Sequence, residues 1–279
     1  MPKIELSNER IKELEGKIAK TKEIFQQAFD RFEVRDTRLI WSGGKDSTLT
    51  LWICRQYCQE KGMEMPKAFT IDEGDAFVEI DEILHTYAKQ WGVTLEWGRN
   101  EDVLKAANHT LDADVQVSEL NERNQAEIKR IGFDLKAFPF EAESYVGNHL
   151  MKTVVFNTYL EESGAKAVFQ GLRWDEQQAR QKDAYHDDVE AAELTPAHTR
   201  YRPILHFSER DIWDTTLYFD IPYCPLYEKG YRSLGAKTTS LKSSDIPAWE
   251  QDLENTEERA GRRQDKEKTM ERLRQLGYM

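Results

Sequence analysis

Ser42-Gly43-Gly44-Lys45-Asp46-Ser47 is the stretch on which the reading of this chain turns. Before it stands Arg38-Leu39-Ile40-Trp41, a short apolar run that reads as a buried strand. After it, Thr48 to Tyr57 carries Leu49, Leu51, Trp52 and Cys54 and suits a helix packed on a sheet. A strand, a Gly-Gly turn and a helix N-terminus together make an anion site. The glycines let backbone approach a ligand closely, the first-turn N–H groups have no intrahelical partner, and the helix dipole favours negative charge. The spacing is not that of a Walker A loop, which has four residues between its first glycine and its Gly-Lys pair.

Outward from this loop, strands and helices alternate. Lys67 to Ile71 reads as a second strand, followed by a helix from about Ala76 to Trp91 and a third strand from Val93 to Trp97. Asn148 to Ser163 reads as a helix, Ala167 to Gly171 as a strand and Arg202 to His206 as a further short strand. Ser208 then caps a helix that opens Glu209-Arg210-Asp211-Ile212-Trp213. This alternation predicts an α/β fold with a mainly parallel twisted sheet and helices on both faces. Residues 1–34 form a charged, amphipathic leading helix with Ile11, Leu14, Ile18, Ile24, Phe25 and Phe29 on one face. It packs on the core or on another subunit, which leaves a homo-oligomer open. Residues 35–225 make the α/β domain, within which 98–140 is polar and irregular. Residues 226–279 read as a C-terminal appendage, glycine-punctuated and then highly charged.

Composition narrows the classes of function. A chain of 279 residues buries about 75% of its unfolded surface, and 39% hydrophobic residues is an ordinary globular level. No apolar run reaches a membrane span and the N-terminus lacks a signal-peptide core, so a cytoplasmic protein is expected. Three cysteines, Cys54, Cys58 and Cys224, make no disulfide framework and have no metal-ligand spacing. The net charge of −12 argues against a general nucleic-acid surface, and an acidic protein that binds a nucleotide must concentrate cations in its site.

Further segments carry charge or glycine where a ligand would sit. Ile71-Asp72-Glu73-Gly74 stands at the end of the second strand, where open α/β sheets bind ligands. His149-Leu150-Met151-Lys152-Thr153 lies on a helix, and Gly171-Leu172-Arg173-Trp174-Asp175-Glu176, with Ala179-Arg180, follows a strand. Arg173 offers a bidentate fork and Lys152 a compact charge to a phosphate or sulfate. Taken singly, each is equally a capped turn or a salt-bridged surface helix.

In order along the chain, these segments resemble the phosphoadenylylsulfate reductase superfamily of ATP pyrophosphatase-like proteins. Within it they are most similar to the small, catalytic subunit of sulfate adenylyltransferase. Ser42 to Ser47, His149 with Met151-Lys152-Thr153, Arg173 through Arg180, Ser208 through Trp213 and Thr256-Glu257-Glu258-Arg259-Ala260-Gly261-Arg262 carry the likeness. It implies an adenine nucleotide alpha-hydrolase-like fold, with ATP and Mg²⁺ as cofactors. The reaction implied is attack by sulfate on the α-phosphorus of ATP, giving adenylylsulfate and pyrophosphate. Ser42, Gly43, Gly44 and Ser47 would hold pyrophosphate, Lys45 would add charge, and Asp46 would hold Mg²⁺ or the loop. Arg173 and Lys152 would meet the acceptor anion or α-phosphate, Asp72 the ribose or adenine, and Gly171 the nucleotide. A separate GTPase large subunit is the implied partner. The family cysteine after Arg-x-Leu-Gly is absent, since Arg232-Ser233-Leu234-Gly235 runs into Ala236. Rival readings are reduction of adenylylsulfate or its 3′-phospho form, adenylylation of another acceptor such as FMN or in nucleic-acid sulfur modification, and a non-catalytic nucleotide-binding module.

Overall fold

Ser7 opens the first helix by accepting a hydrogen bond from the Arg10 amide at 3.1 Å, and α1 (Asn8–Arg31) runs from there. The computed structural model describes residues 4–142, 144–177, 180–192 and 194–258. Leu14, Ile18, Ile24, Phe25 and Ala28 of α1 are buried in the main core, so the leading helix docks on its own chain. Lys17 and Arg10 add ion pairs of 2.5 and 2.7 Å to the buried Asp211.

Next come β1 (Thr37–Ile40), α2 (Lys45–Lys61), β2 (Lys67–Ile71), α3 (Val78–Trp91) and β3 (Leu95–Gly98). Gly62 and Gly92 end α2 and α3 in the left-handed conformation, as helix stops require. After an excursion described below, α7 (Val155–Ser163) leads to β6 (Ala167–Phe169). The edge strand β7 (His186–Val189) then turns back into β8 (His198–Tyr201), and α8 (Glu209–Tyr218) follows. The sheet order is β3-β2-β1-β6-β8-β7, parallel throughout except for β7. Side chains alternate across it. Ala167 and Phe169 enter the core beneath α1 and α2, while Val168 and Phe69 pack with Val155, Phe156 and Leu160 on the opposite face.

The expected strand at 202–206 is a turn instead, and the strand lies earlier, at His198–Tyr201. Pro203 removes a ladder donor, whereas Thr199 and Tyr201 supply the β-branched and aromatic side chains of the observed strand. Ser208 does cap the following helix, in a capping box with Asp211.

The region 98–140 folds into a small lobe of its own. It contains α4 (Glu101–Ala106), the antiparallel pair β4 (Asp114–Gln116) and β5 (Ala137–Pro139), and α5 (Glu122–Arg130). Asn100 and Asn121 cap the two helices. Val103, Leu104, Val115, Ile128, Phe138 and Phe140 form a second core, closed by Leu150 and Met151 from the returning helix. That helix begins as α6 (Tyr145–Asn148), is wound as a π-turn from His149 to Val154, and continues as α7.

Candidate active site at the sheet's switch point

The chain leaves β1 for β2 and β3 on one side and returns to β6 on the other. β1 and β6 are therefore adjacent parallel strands whose following segments diverge, the place where open α/β sheets form a ligand crevice. Ser42–Ser47 follows β1, and Gly171–Arg173 follows β6.

The loop is built by its own small side chains. Gly43 has φ +74°, a left-handed conformation that favours glycine, and the half-buried Ile80 side chain packs beneath it. Ser47 Oγ accepts from the Ser42 amide at 3.2 Å and donates to the Gly44 carbonyl at 3.0 Å, closing the turn. The Lys45 amide, the first N–H of α2, donates to the hydroxyl of Tyr227 at 3.1 Å. Gly171 is required for a different reason: a Cβ there would lie 2.8 Å from the Ser47 nitrogen and 2.9 Å from the Asp46 carbonyl. Its place is close packing between the end of β6 and the start of α2.

Lys45 and Arg173 are both buried and converge on one carboxylate. Glu258 Oε1 lies 2.5 Å from Lys45 Nζ, and Glu258 Oε2 lies 2.5 Å from Arg173 Nη2. Arg173 also pairs with Asp46 and, at 2.8 Å, with Asp175, while Lys45 Nζ stands 3.2 Å from Asp46. Burial acts to lower Lys45, yet the carboxylates of Asp46, Glu258 and Glu209 outweigh it and hold the ammonium above its ordinary range. Arg173 is shifted the same way, burial being outweighed by Asp46 and Glu258. Burial opposes ionisation of Glu258, but Lys45 and Arg173 hold its carboxyl below the usual range. Glu209, in contrast, is pushed up by burial despite the pull of Lys45.

Of the residues expected in the site, Ser42 to Ser47, Gly171 and Arg173 are brought together. Lys152 and Asp72 belong to a second group at the end of β2. Lys152 projects from the π-turn to Glu73 at 3.0 Å, and Asp72 pairs with Arg99 and accepts from the Gly74 amide at 2.9 Å. Ala179 and the sequence from Arg259 on lie outside the described residues.

Glu209, Arg232 and Glu258 stand in the sequence only within stretches compared with the family, with no role in the site assigned to them, and Tyr227 has none either. Arg232 pairs with Glu209 at 2.7 Å and holds the carbonyls of Leu253 and Thr256, so the appendage is clamped over the loop. Asp75, past the end of β2, clamps it again by accepting from the Thr238 amide at 3.0 Å. The legible signal was an arginine, a glutamate and a tyrosine in a stretch otherwise rich in turn residues.

The phosphoadenosine phosphosulfate reductase domain matches residues 37–242. Phosphoadenosine 5′-phosphosulfate reductase of Synechococcus sp. is 33% identical over 32% of this chain, which spans about a third of that relative's length (35%). A probable FAD synthase of Schizosaccharomyces pombe is 23% identical over 82% of this chain and 69% of its own. Sulfate adenylyltransferase subunit 2 of Chelativorans sp. is 29% identical over 40% of this chain and 46% of its own. Among solved structures, FMN adenylyltransferase of Candida glabrata superimposes with a TM-score of 0.67 at 17% identity, over 94% of this chain and 92% of that one. These structures share the fold. No helix among the described residues is long and apolar enough to cross a membrane.

Proposed function

Because this chain belongs to the phosphoadenosine phosphosulfate reductase domain family, we propose that it transfers the adenylyl group of ATP to a tetrahedral oxyanion, with sulfate as the acceptor. The observation that carries the reading is the convergence of Lys45 and Arg173 on a single carboxylate beside the glycine loop. Two buried cations directed at one pair of oxygens suit a phosphate or sulfate, which Arg meets as a fork and Lys as a point charge.

In the reaction an acceptor oxygen forms a bond to the α-phosphorus while the bond to the bridging oxygen breaks. Pyrophosphate leaves with the electron pair. A sulfate dianion has no proton to lose, so no general base is needed, and catalysis rests on positioning and charge stabilisation. Gly43, Gly44 and the first-turn N–H groups of α2 would receive pyrophosphate. Lys45 and Arg173 would neutralise charge developing on the α- and β-phosphate oxygens. Lys152 and Asp72, at the neighbouring strand end, would meet the acceptor or the nucleoside.

Mg²⁺ delivered with a triphosphate takes one or two carboxylates and otherwise phosphate and water oxygens. Asp46 fits that need: it is only half-buried at the mouth of the loop, and no closed group of three metal-ligating side chains exists among the described residues. The ion would neutralise the phosphate oxygens.

Reductase chemistry fits poorly. All three cysteines of the sequence are buried, and the thiol of Cys224 is pushed up to about 11 by burial. A second acceptor has specific support. The probable FAD synthase is matched over 82% of this chain, and the phosphate of FMN is likewise an oxyanion that attacks without deprotonation.

The test is pyrophosphate release from Mg-ATP with sulfate, molybdate or FMN added, each with and without a GTPase large subunit, and with Asp46→Ala as control. Release that depends on sulfate or molybdate and is lost in the variant supports the reading. Release with FMN alone transfers the assignment to flavin adenylylation. ATP binding with no acceptor-dependent release overturns both.

A further inference from the structure

Glu258 comes from a segment 213 positions away from Lys45, yet its carboxylate is buried against the loop. Its two oxygens span Lys45 Nζ and Arg173 Nη2, each at 2.5 Å. Two oxygens of a phosphate or sulfate would span them the same way. The approach is built rather than casual. Arg232 holds the carbonyls of Asp252, Leu253 and Thr256 and the Thr256 hydroxyl, and is itself fixed by Glu209 from the first turn of α8. Leu253 adds a buried apolar contact to the main core.

Building on the adenylyl-transfer reading, we propose that Glu258 is an internal occupant of the oxyanion subsite. The clamped segment 252–258 is then a latch, which a substrate phosphate or sulfate must displace to reach Lys45 and Arg173. The same two cations cannot serve the latch and the ligand at once. Exchange replaces one anion by another in a buried site, so the cations are never left uncompensated, the state that costs most. The latch therefore keeps the site charge-balanced without substrate and excludes weak or singly bonded anions. A tetrahedral oxyanion with two free oxygens is the class of ligand that can replace both contacts.

The experiment measures binding of pyrophosphate and of Mg-AMPCPP to the full chain by calorimetry, for the native protein, Glu258→Gln and Thr256→Val. Hydrogen exchange of residues 252–258 is followed in the same samples. Removing the competing charge in Glu258→Gln is expected to tighten pyrophosphate binding roughly tenfold, the scale of one charge-assisted hydrogen bond. Thr256→Val leaves Lys45, Arg173 and Glu258 in place and loosens only the clamp, so a smaller gain in the same direction is expected. Pyrophosphate added to the native protein should speed exchange in 252–258. Native binding with unchanged or weaker binding in both variants, and exchange in 252–258 slowed by ligand, would make Glu258 a positioning residue and overturn the latch. That result leaves the adenylyl-transfer reading standing. Absence of any pyrophosphate or AMPCPP binding, in native protein and variants alike, defeats that reading itself. Should Glu258→Gln fail to fold, Thr256→Val and the native exchange data decide the matter.

Discussion

Two groups of charged side chains stand on the same edge of the sheet, and they are held in opposite ways. At the ends of β1 and β6, Lys45, Arg173, Glu209, Arg232 and Glu258 are all buried and satisfy one another. At the ends of β2 and β3, Asp72 pairs with Arg99, which also meets Glu101, and Glu73 pairs with Lys152, all on residues that are exposed or half-buried. Interlocked buried charges are costly to break one at a time, whereas open pairs exchange partners with water at little cost. The first group thus suits the invariant part of a nucleotide, its phosphates. The second suits the part that differs between acceptors.

Mutation of the two groups should separate them sharply. Arg173→Ala leaves Glu258 and Asp46 without their shared guanidinium, and should lower unfolding free energy by about 3–5 kcal/mol in a urea titration. A loss below about 1 kcal/mol would show the buried group to be as loose as the open one. Gly171→Ala attacks the same group through its backbone: the added Cβ forces the start of α2 to shift. Acceptor-dependent pyrophosphate release should fall on the order of a hundredfold, as for a displacement of about 1 Å in a positioned site. Unchanged turnover would mean that the packing of β6 on α2 does not set the loop.

The open group should respond weakly. Lys152→Ala should cost at most about 1 kcal/mol of stability, with any kinetic effect in the KM for the acceptor rather than for ATP. Equal effects on both would break the division between phosphate and acceptor walls. Asp72→Asn should change stability by no more than about 0.5 kcal/mol, read from the same urea midpoint. The last prediction is an absence of change. Glu258 is held below the ordinary carboxylate range, so the stability it contributes is complete above that range and is lost as pH falls through its depressed value. Exchange protection of 252–258, corrected for intrinsic rates, should then be the same at about pH 7 and about pH 5. Protection already lost at about pH 5 in both the native protein and Glu209→Gln would show that the two cations do not grip the carboxylate, whereas loss in the native protein alone would trace to Glu209, which burial pushes up, releasing Arg232.

What was legible in the sequence is what short-range physics writes there. The strand before Ser42, the glycine turn, the second strand at Lys67–Ile71 and the Ser208 cap each rest on neighbours a few residues apart. The small lobe was illegible because its two strands are three residues each and its core is completed by Leu150 and Met151 from outside it. β7 was missed because His186-Asp187-Asp188-Val189 is an edge strand whose acidic side chains are neutralised by Arg31, Arg200 and Arg202. The largest omission was the buried charge group. Glu258 with Lys45, and Arg232 with Glu209, are pairings across long stretches of chain, and no local pattern announces them. The appendage read from composition as a charged extension, while Leu226, Tyr227, Ala248 and Leu253 tie it into the main core.

The π-turn from His149 to Val154 gives the helix between the two lobes one residue more than an α-helix would spend on the same rise. Each helical residue turns the chain by about 100°, so this surplus is a phase setting. Leu150 and Met151 face the small lobe while Val155 and Phe156, just beyond, face the large sheet. Excising a single residue here would splice α6 and α7 into one regular rod and rotate one set of contacts away from the other. Lys152 would swing with them. Gain or loss of a single codon in this turn would act on the protein as a dial, re-aiming one lobe's side chains while every strand kept its place.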